Sequence, residues 1–138
     1  MNPALIDTNI LSLFFRNNSN VVARFNAYLK EYGQLNISII TYYEIVSGLK
    51  HRDAQKQLKS FLEFAEYNTV LPLTQRSAKI SADIYANLRS QGTPIDDIDI
   101  LIAGIAIANN LIVVTNNRRD FDKIQNLDIE DWSQMSNE

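Results

Sequence analysis

The chain has 138 residues, 46% of them apolar and 21% charged, with a formal net charge of -3; this is enough for one well-buried core and is far from a disordered or fibrous composition, so a single domain over residues 1–138 is expected. Cysteine is absent, which excludes a disulfide framework and a thiolate zinc site and suits a cytoplasmic protein. The N-terminus carries no basic region and only a three-residue apolar run, and the most apolar segment, Ile98 to Ala108, falls well short of the roughly 20 residues a membrane helix needs, so neither export nor a membrane span is expected.

In chain order, Ala4 to Ile6 reads as a short strand. It ends in Asp7-Thr8-Asn9, a run of helix-capping types, before the apolar stretch Ile10 to Phe15. Val21 to Tyr32 has a helical period with Gly33 placed as a C-terminal cap. Leu35 to Ile39 alternates as a strand and leads into Thr41-Tyr42-Tyr43-Glu44, a capping-box pattern with Thr41 as cap, in which Glu44 would satisfy its own helix. Asp53 to Tyr67 reads as a helix and Thr69 to Leu71 as a strand stopped by Pro72. A long helix follows from Thr74 to about Gln91, ended by Gly92-Thr93-Pro94. Ile98 to Ala108 is apolar on nearly all sides and predicts a buried helix. Leu111 to Val114 predicts a buried strand, and Asp128 to Trp132 an edge strand or terminal segment.

The alternation of strands and helices predicts an α/β fold: a mainly parallel central sheet of four to five strands with helices on both faces. Ligands of such sheets bind beyond the carboxyl ends of the strands. Asp7 follows one strand, Glu44 and Asp99 fall in the first turns of helices, and Asp120 lies beyond the last long apolar run, so four carboxylates are directed to one edge. Each alone could be a helix cap; four caps converging there is a weaker explanation. Crowded acids repel one another and hold protons at neutral pH, and a Mg²⁺ or Mn²⁺ ion with oxygen ligands removes the conflict. The pattern indicates divalent-metal and phosphate chemistry.

The net charge of -3 by itself argues against a nucleic-acid ligand. Setting the four clustered acids aside leaves 12 acidic against 13 basic residues, and local distribution decides. Arg52, Lys56 and Lys59 recur at helical spacing, and Arg118, Arg119 and Lys123 surround Asp120; both groups also suit an ordinary solvated helix face. The single histidine, His51, excludes a two-histidine ribonuclease and a histidine zinc site, and no nucleophile elbow or phosphate-binding glycine loop occurs. A carboxylate-metal hydrolase remains.

These residues carry a family resemblance. Leu5-Ile6-Asp7-Thr8-Asn9, Ile39 through Glu44 to Gly48, Ile95 through Asp99 to Ala103, and Val113-Val114-Thr115-Asn116-Asn117-Arg118-Arg119-Asp120-Phe121 occur in the order and separation of the PIN-domain ribonucleases. Within them the chain resembles the VapC-type toxins of type II toxin-antitoxin pairs, over nearly its whole length. The resemblance implies a PIN-like domain and metal-dependent hydrolysis of RNA phosphodiesters. Asp7, Glu44, Asp99 and Asp120 take the family's acidic positions, with Asp7, Asp99 and Asp120 on the metal and Glu44 on the attacking water. Asn117 matches a polar site position, and Thr8, Asn9 and Thr115 supporting ones. Asp96 and Asp97 depart from the pattern as an added acidic pair, which makes Asp97 a further candidate ligand. RNA phosphates would meet Arg118, Arg119 and the Arg52 face. A VapB-like antitoxin, a homodimer or higher toxin-antitoxin assembly, and promoter DNA bound only through the antitoxin are also implied. Ile10, Leu11, Leu13, Phe14 and Phe15, extended by Val21, Val22 and Phe25, form a candidate apolar partner surface. An RNA-processing PIN nuclease without antitoxin and a catalytically silent RNA- or protein-binding module are the alternatives, and the intact acids speak against the second. A phosphoacceptor signalling domain also gathers acids at a sheet edge, but Thr115-Asn116-Asn117 lacks the lysine it needs.

Overall fold

A computed structural model describes residues 1–135; residues 136–138 of the expected domain lie outside the described residues. The elements are β1 (Ala4–Ile6), α1 (Thr8–Phe15), α2 (Ser19–Tyr32), β2 (Asn36–Ser38), α3 (Ile39–His51), α4 (Gln55–Tyr67), β3 (Thr69–Leu71), α5 (Gln75–Ser90), α6 (Asp97–Ala108), β4 (Ile112–Val114), α7 (Arg118–Phe121) and β5 (Ile129–Glu130). The five strands form one sheet in the order β3-β2-β1-β4-β5, and every pairing is parallel. The expected α/β architecture is therefore present, with β5 as an edge strand.

Alternation along the strands divides the core in two. Ala4 and Ile6 of β1 and Ile112 and Val114 of β4 face one cluster with Ile10, Val21, Phe25, Ile37 and Phe61, so α1 to α4 cover that side. Leu5 and Val113 point the other way, onto Leu88 of α5 and Ile102, Ala103, Ile105 and Ala106 of α6. Since successive side chains of a strand point to opposite faces, both faces of β1 and β4 are buried and their sequences read as continuous apolar runs. α5 lies close along α6 because Gly104 has no side chain: a Cβ there would come within 1.9 Å of Ser81 Oγ and 2.7 Å of the Ser77 carbonyl oxygen. Ser81 Oγ donates to the carbonyl of Ile100 at 3.0 Å across the same contact.

Several boundaries differ from expectation for definable reasons. β2 stops at Ser38, whose hydroxyl caps α3 by accepting from the Thr41 amide at 3.0 Å. Thr41 is thus inside the helix and Glu44 a turn beyond the capping position, so no capping box exists there. Between α3 and α4 the chain turns through Asp53 at φ 53° and α4 begins only at Gln55. Arg52 therefore closes α3, while Lys56 and Lys59 ride on α4; the three do not share one helix face. The apolar run of α1 is mostly core: Ile10, Leu11, Val21 and Phe25 are fully buried, Leu13 and Phe14 pack partly buried against them, and of the larger side chains in the run Phe15 is the exposed one, at 40%. The broad apolar partner surface expected from residues 10–25 is largely absent, because α1 is held between the sheet, α2 and α4. Phe14 stacks on Phe25 with ring centroids 4.4 Å apart, and Phe15 meets Phe64 edge-on at 5.4 Å.

Candidate active site

Asp7 is the first residue after β1 and the N-cap of α1. Its amide donates to the Val114 carbonyl at 2.9 Å, extending the β1–β4 ladder by one residue. The carboxylate is 4% exposed; Oδ1 accepts from the Thr8 amide at 2.8 Å and Oδ2 from Thr115 Oγ1 at 2.7 Å. Burial raises its pKa above the ordinary carboxylate value, Thr115 and the Thr8 amide pull it back, and the charge of Glu44 adds to the rise. Both hydrogen-bond donors favour the charged form, so this buried acid is fixed in one orientation.

Glu44 comes from α3. Its Oε1 accepts from Thr8 Oγ1 at 2.6 Å, and Thr8 Oγ1 lies 3.0 Å from Thr41 Oγ1. Thr8 has one hydroxyl proton and gives it to the carboxylate, so the buried Thr41 donates in turn to Thr8. This relay holds α1 against α3 and leaves the other oxygen of Glu44 free. The sequence pattern predicts Thr41 as a helix cap; its hydroxyl, fully buried and one turn before Glu44, supports the site instead.

Asp99 lies in the first turn of α6, and Asp96 carries the cap by accepting from the Ile98 amide at 2.8 Å. Asp99 is thereby free of the helix terminus. Burial, then the charges of Asp7, Asp96, Asp120 and Glu44, push its carboxyl up to about 7, so the fold penalises the charged form of this acid. Asn117 links this side: its Nδ2 donates to Asp99 Oδ2 and to Asp120 Oδ2, each at 3.2 Å, and its amide donates to Thr115 Oγ1 at 3.0 Å. Asp120 sits on the one-turn helix α7, and Lys123 Nζ lies 3.9 Å from its Oδ1.

The four acids expected at one edge are thus brought together, with Thr8, Thr115 and Asn117 as their supports. Asn9 is exposed and points no hydrogen bond into the site among the described residues. Asp97 is exposed, and it is Asp96 that acts on the Asp99 carboxyl. Arg118 reaches the Ile129 carbonyl and Asp122, and Arg119 is exposed beside Asp120. Among the described residues no three acids stand close enough to share one ion, so Asp7, Asp99 and Asp120 do not form a closed three-ligand cage. The donor set still fits Mg²⁺ or Mn²⁺: hard oxygen donors, acids that raise one another's affinity for positive charge, and no histidine or thiolate. Mg²⁺ is commonly held by one or two carboxylates with water and substrate oxygens completing the shell.

Residues 4–127 match the PIN domain family. The chain belongs to that family, and within it to the VapC group. It is 34% identical over 131 residues to the tRNA(fMet)-specific endonuclease VapC of Shigella flexneri, covering 94% of this chain and 97% of that protein. The protein of the same name from Salmonella typhimurium is 33% identical over 130 residues, 93% of this chain and 96% of its own. Among solved structures, the DNA-bound VapBC of Salmonella typhimurium matches with a TM-score of 0.84 at 33% identity over 96% of this chain and 99% of that one. VapBC2 of Rickettsia felis, bound to a promoter DNA fragment, matches at 0.82 and 26% over 94% and 98%.

Proposed function

We propose that this protein is a metal-dependent endoribonuclease, the toxin of a VapBC-type pair, and that Asp7, Glu44, Asp99 and Asp120 are its catalytic acids. The observation that carries the reading is the convergence of these acids from four elements: burial first, and then the charges of Asp7, Asp96, Asp120 and Glu44, raise the Asp99 carboxyl to about 7, a cost that a cation would remove. Asp99, together with either Asp7 or Asp120, is the candidate holder of Mg²⁺ or Mn²⁺, with water and substrate oxygens to complete the shell. The ion, when bound, supplies charge neutralisation at the phosphoryl group and makes water more acidic.

The chain's own residues do the rest. Glu44 orients the attacking water through its free oxygen and takes its proton, while Thr8 and Thr41 hold the carboxylate in place. Water oxygen adds to phosphorus in line with the departing sugar oxygen, the P–O bond to that oxygen breaks, and the departing oxygen gains a proton from solvent. Thr115 fixes Asp7, and Asn117 keeps Asp99 and Asp120 at a set separation. Arg118 and Arg119 meet flanking phosphates.

The Shigella and Salmonella relatives are named for initiator tRNA, which makes tRNA(fMet) the first substrate to try. The VapBC neighbours supply the expected partner, a VapB-like antitoxin in a higher assembly that reaches promoter DNA, and a cytoplasmic location follows from such a role. No helix among the described residues is long and apolar enough to cross a membrane. The test is cleavage of total RNA and of tRNA(fMet) by purified protein in Mg²⁺, Mn²⁺ or EDTA, beside Asp7→Asn prepared identically. Discrete metal-dependent cuts lost in the variant support the reading; identical patterns from both proteins refute it.

A further inference from the structure

A groove with a volume of about 820 Å³ opens beside the acids between α1, α3 and α4. Two of its walls carry the same sequence of chemistry. On α1, Thr8, Ser12 and Arg16 recur every fourth residue, and on α3 so do Glu44, Gly48 and Arg52, so each set forms a stripe along one helix face. Both helices start at the carboxyl edge of the sheet, so both stripes run from the acid cluster, past a small residue, to an arginine at the helix end. Lys56 of α4 lies on the third wall. From the acids to the arginines is roughly 12 Å along the helices, the rise of about three or four stacked nucleotides at roughly 3.4 Å each.

We propose that this groove holds the single-stranded RNA segment on one side of the scissile phosphate, its phosphates on Arg16, Arg52 and Lys56 and its backbone passing closely over Gly48. The proposal rests on the nuclease reading above and extends it to the path of the substrate. Charge is the first support. Among the described residues Arg16, Arg52 and Lys56 pair with no carboxylate within 4.0 Å, in a chain whose net charge is -3. Glu44 is the one acidic side chain lining the groove. An acidic peptide would also be drawn to the cations, but it need not continue to the acid cluster, whereas a substrate cut by those acids must pass from them along the groove.

Gly48 is the second support. It lies inside α3, where glycine weakens a helix, and a Cβ built on it meets nothing within 4 Å. Nothing in the folded chain needs the missing side chain, whereas a ligand lying against the helix backbone does. Phe15, exposed at 40% on the groove's rim, offers a face on which a base can stack.

The test measures binding of a fluorescent single-stranded RNA of about a dozen nucleotides, within the site sizes single-strand binders use, in EDTA across a salt series. Cleavage in Mg²⁺ is scored separately. Gly48→Gln should keep or raise Tm, since the added side chain enters open space, yet weaken RNA binding about tenfold or more by filling the path. The triple change Arg16→Gln, Arg52→Gln, Lys56→Gln should weaken binding and flatten the dependence of log affinity on log salt by about 2, as loss of three single-strand phosphate contacts requires. Wild-type affinity and salt slope in both variants, or no RNA binding by the wild type, overturns the proposal. So does a Gly48→Gln protein that binds RNA normally but escapes its protein inhibitor, which would assign the groove to the inhibitor. Binding without cleavage in Mg²⁺ would sink the nuclease reading and leave the groove assignment standing.

Discussion

Replacing Asp99 by Asn should make the metal-free protein more stable at neutral and alkaline pH while abolishing cleavage. The native carboxyl is raised from 3.8 to about 7, so the folded state binds a proton that the unfolded state has released. By linkage, stability attributable to this group is greatest below about pH 4, declines as pH rises between about 4 and 7, and stays low above that. Taken at face value the shift costs about 4 kcal/mol at pH 8. Asp99 is only half-buried, and solvent screening reduces the figure to about 1 to 2 kcal/mol. Asparagine has nearly the same shape, can still accept from Asn117 Nδ2 and carries no charge, so it should recover that amount, worth about 3 to 8 °C in Tm for a chain of this size. Thermal melts of both proteins in EDTA from pH 4 to 8.5 provide the assay. The two curves should approach each other at pH 4 and separate as pH rises, with the variant on top. Parallel curves, or a variant less stable at pH 8, would refute the claim that burial and the neighbouring acids together penalise the Asp99 charge in the folded protein.

Millimolar Mg²⁺ or Mn²⁺ should raise the wild-type Tm, by about 1.4 kcal/mol of stability at ten times Kd, and should do so much less for Asp99→Asn; equal shifts in both would remove Asp99 from the ion's shell. Thr115→Val deletes the 2.7 Å hydrogen bond to buried Asp7 and should cost about 1 to 3 kcal/mol in a denaturant titration at pH 8, with cleavage strongly reduced; unchanged stability would show that the bond is dispensable. Gly104→Ala drives a methyl to 1.9 Å from Ser81 Oγ and 2.7 Å from a main-chain oxygen, and should destabilise by about 1 to 3 kcal/mol. Adding Ser81→Ala should recover only part of this, since the backbone contact remains, and full recovery would contradict that. Ser38→Ala removes the cap of α3 and should cost about 0.5 to 2 kcal/mol, read by the same titration.

The strands and the acids were legible for the same reason. Buried parallel strands are short apolar runs, and whatever polar residue follows one must sit at the sheet's edge, which placed Asp7 correctly from sequence. Glu44 is legible for an incomplete reason: Ile39 prolongs the alternation of β2, which hides the cap at Ser38 and makes Thr41 look like the capping residue. The relay from Thr41 through Thr8 joins residues 33 apart in sequence, and no local pattern encodes it. α7 is four residues long, too short to show a helical period, so the order of the motifs rather than any local periodicity locates Asp120 and its support Asn117. The apolar run of α1 misled in the opposite direction. A helix wedged between a sheet and two others needs several apolar faces, and from sequence alone that resembles a surface waiting for a partner.

Asp7 and Thr115 are 108 residues apart, yet the hydrogen bond between them orients the most buried acid, and β1 pairs with β4 along its length. While the chain is being synthesised, its first strand therefore emerges with one edge bare and its acid unanchored. Chains released before residue 115 lack Thr115, Asn117 and Asp120 together. Premature termination or proteolytic loss of the C-terminal quarter would thus take away, in one stroke, the hydroxyl that orients Asp7 and the amide that joins Asp99 to Asp120.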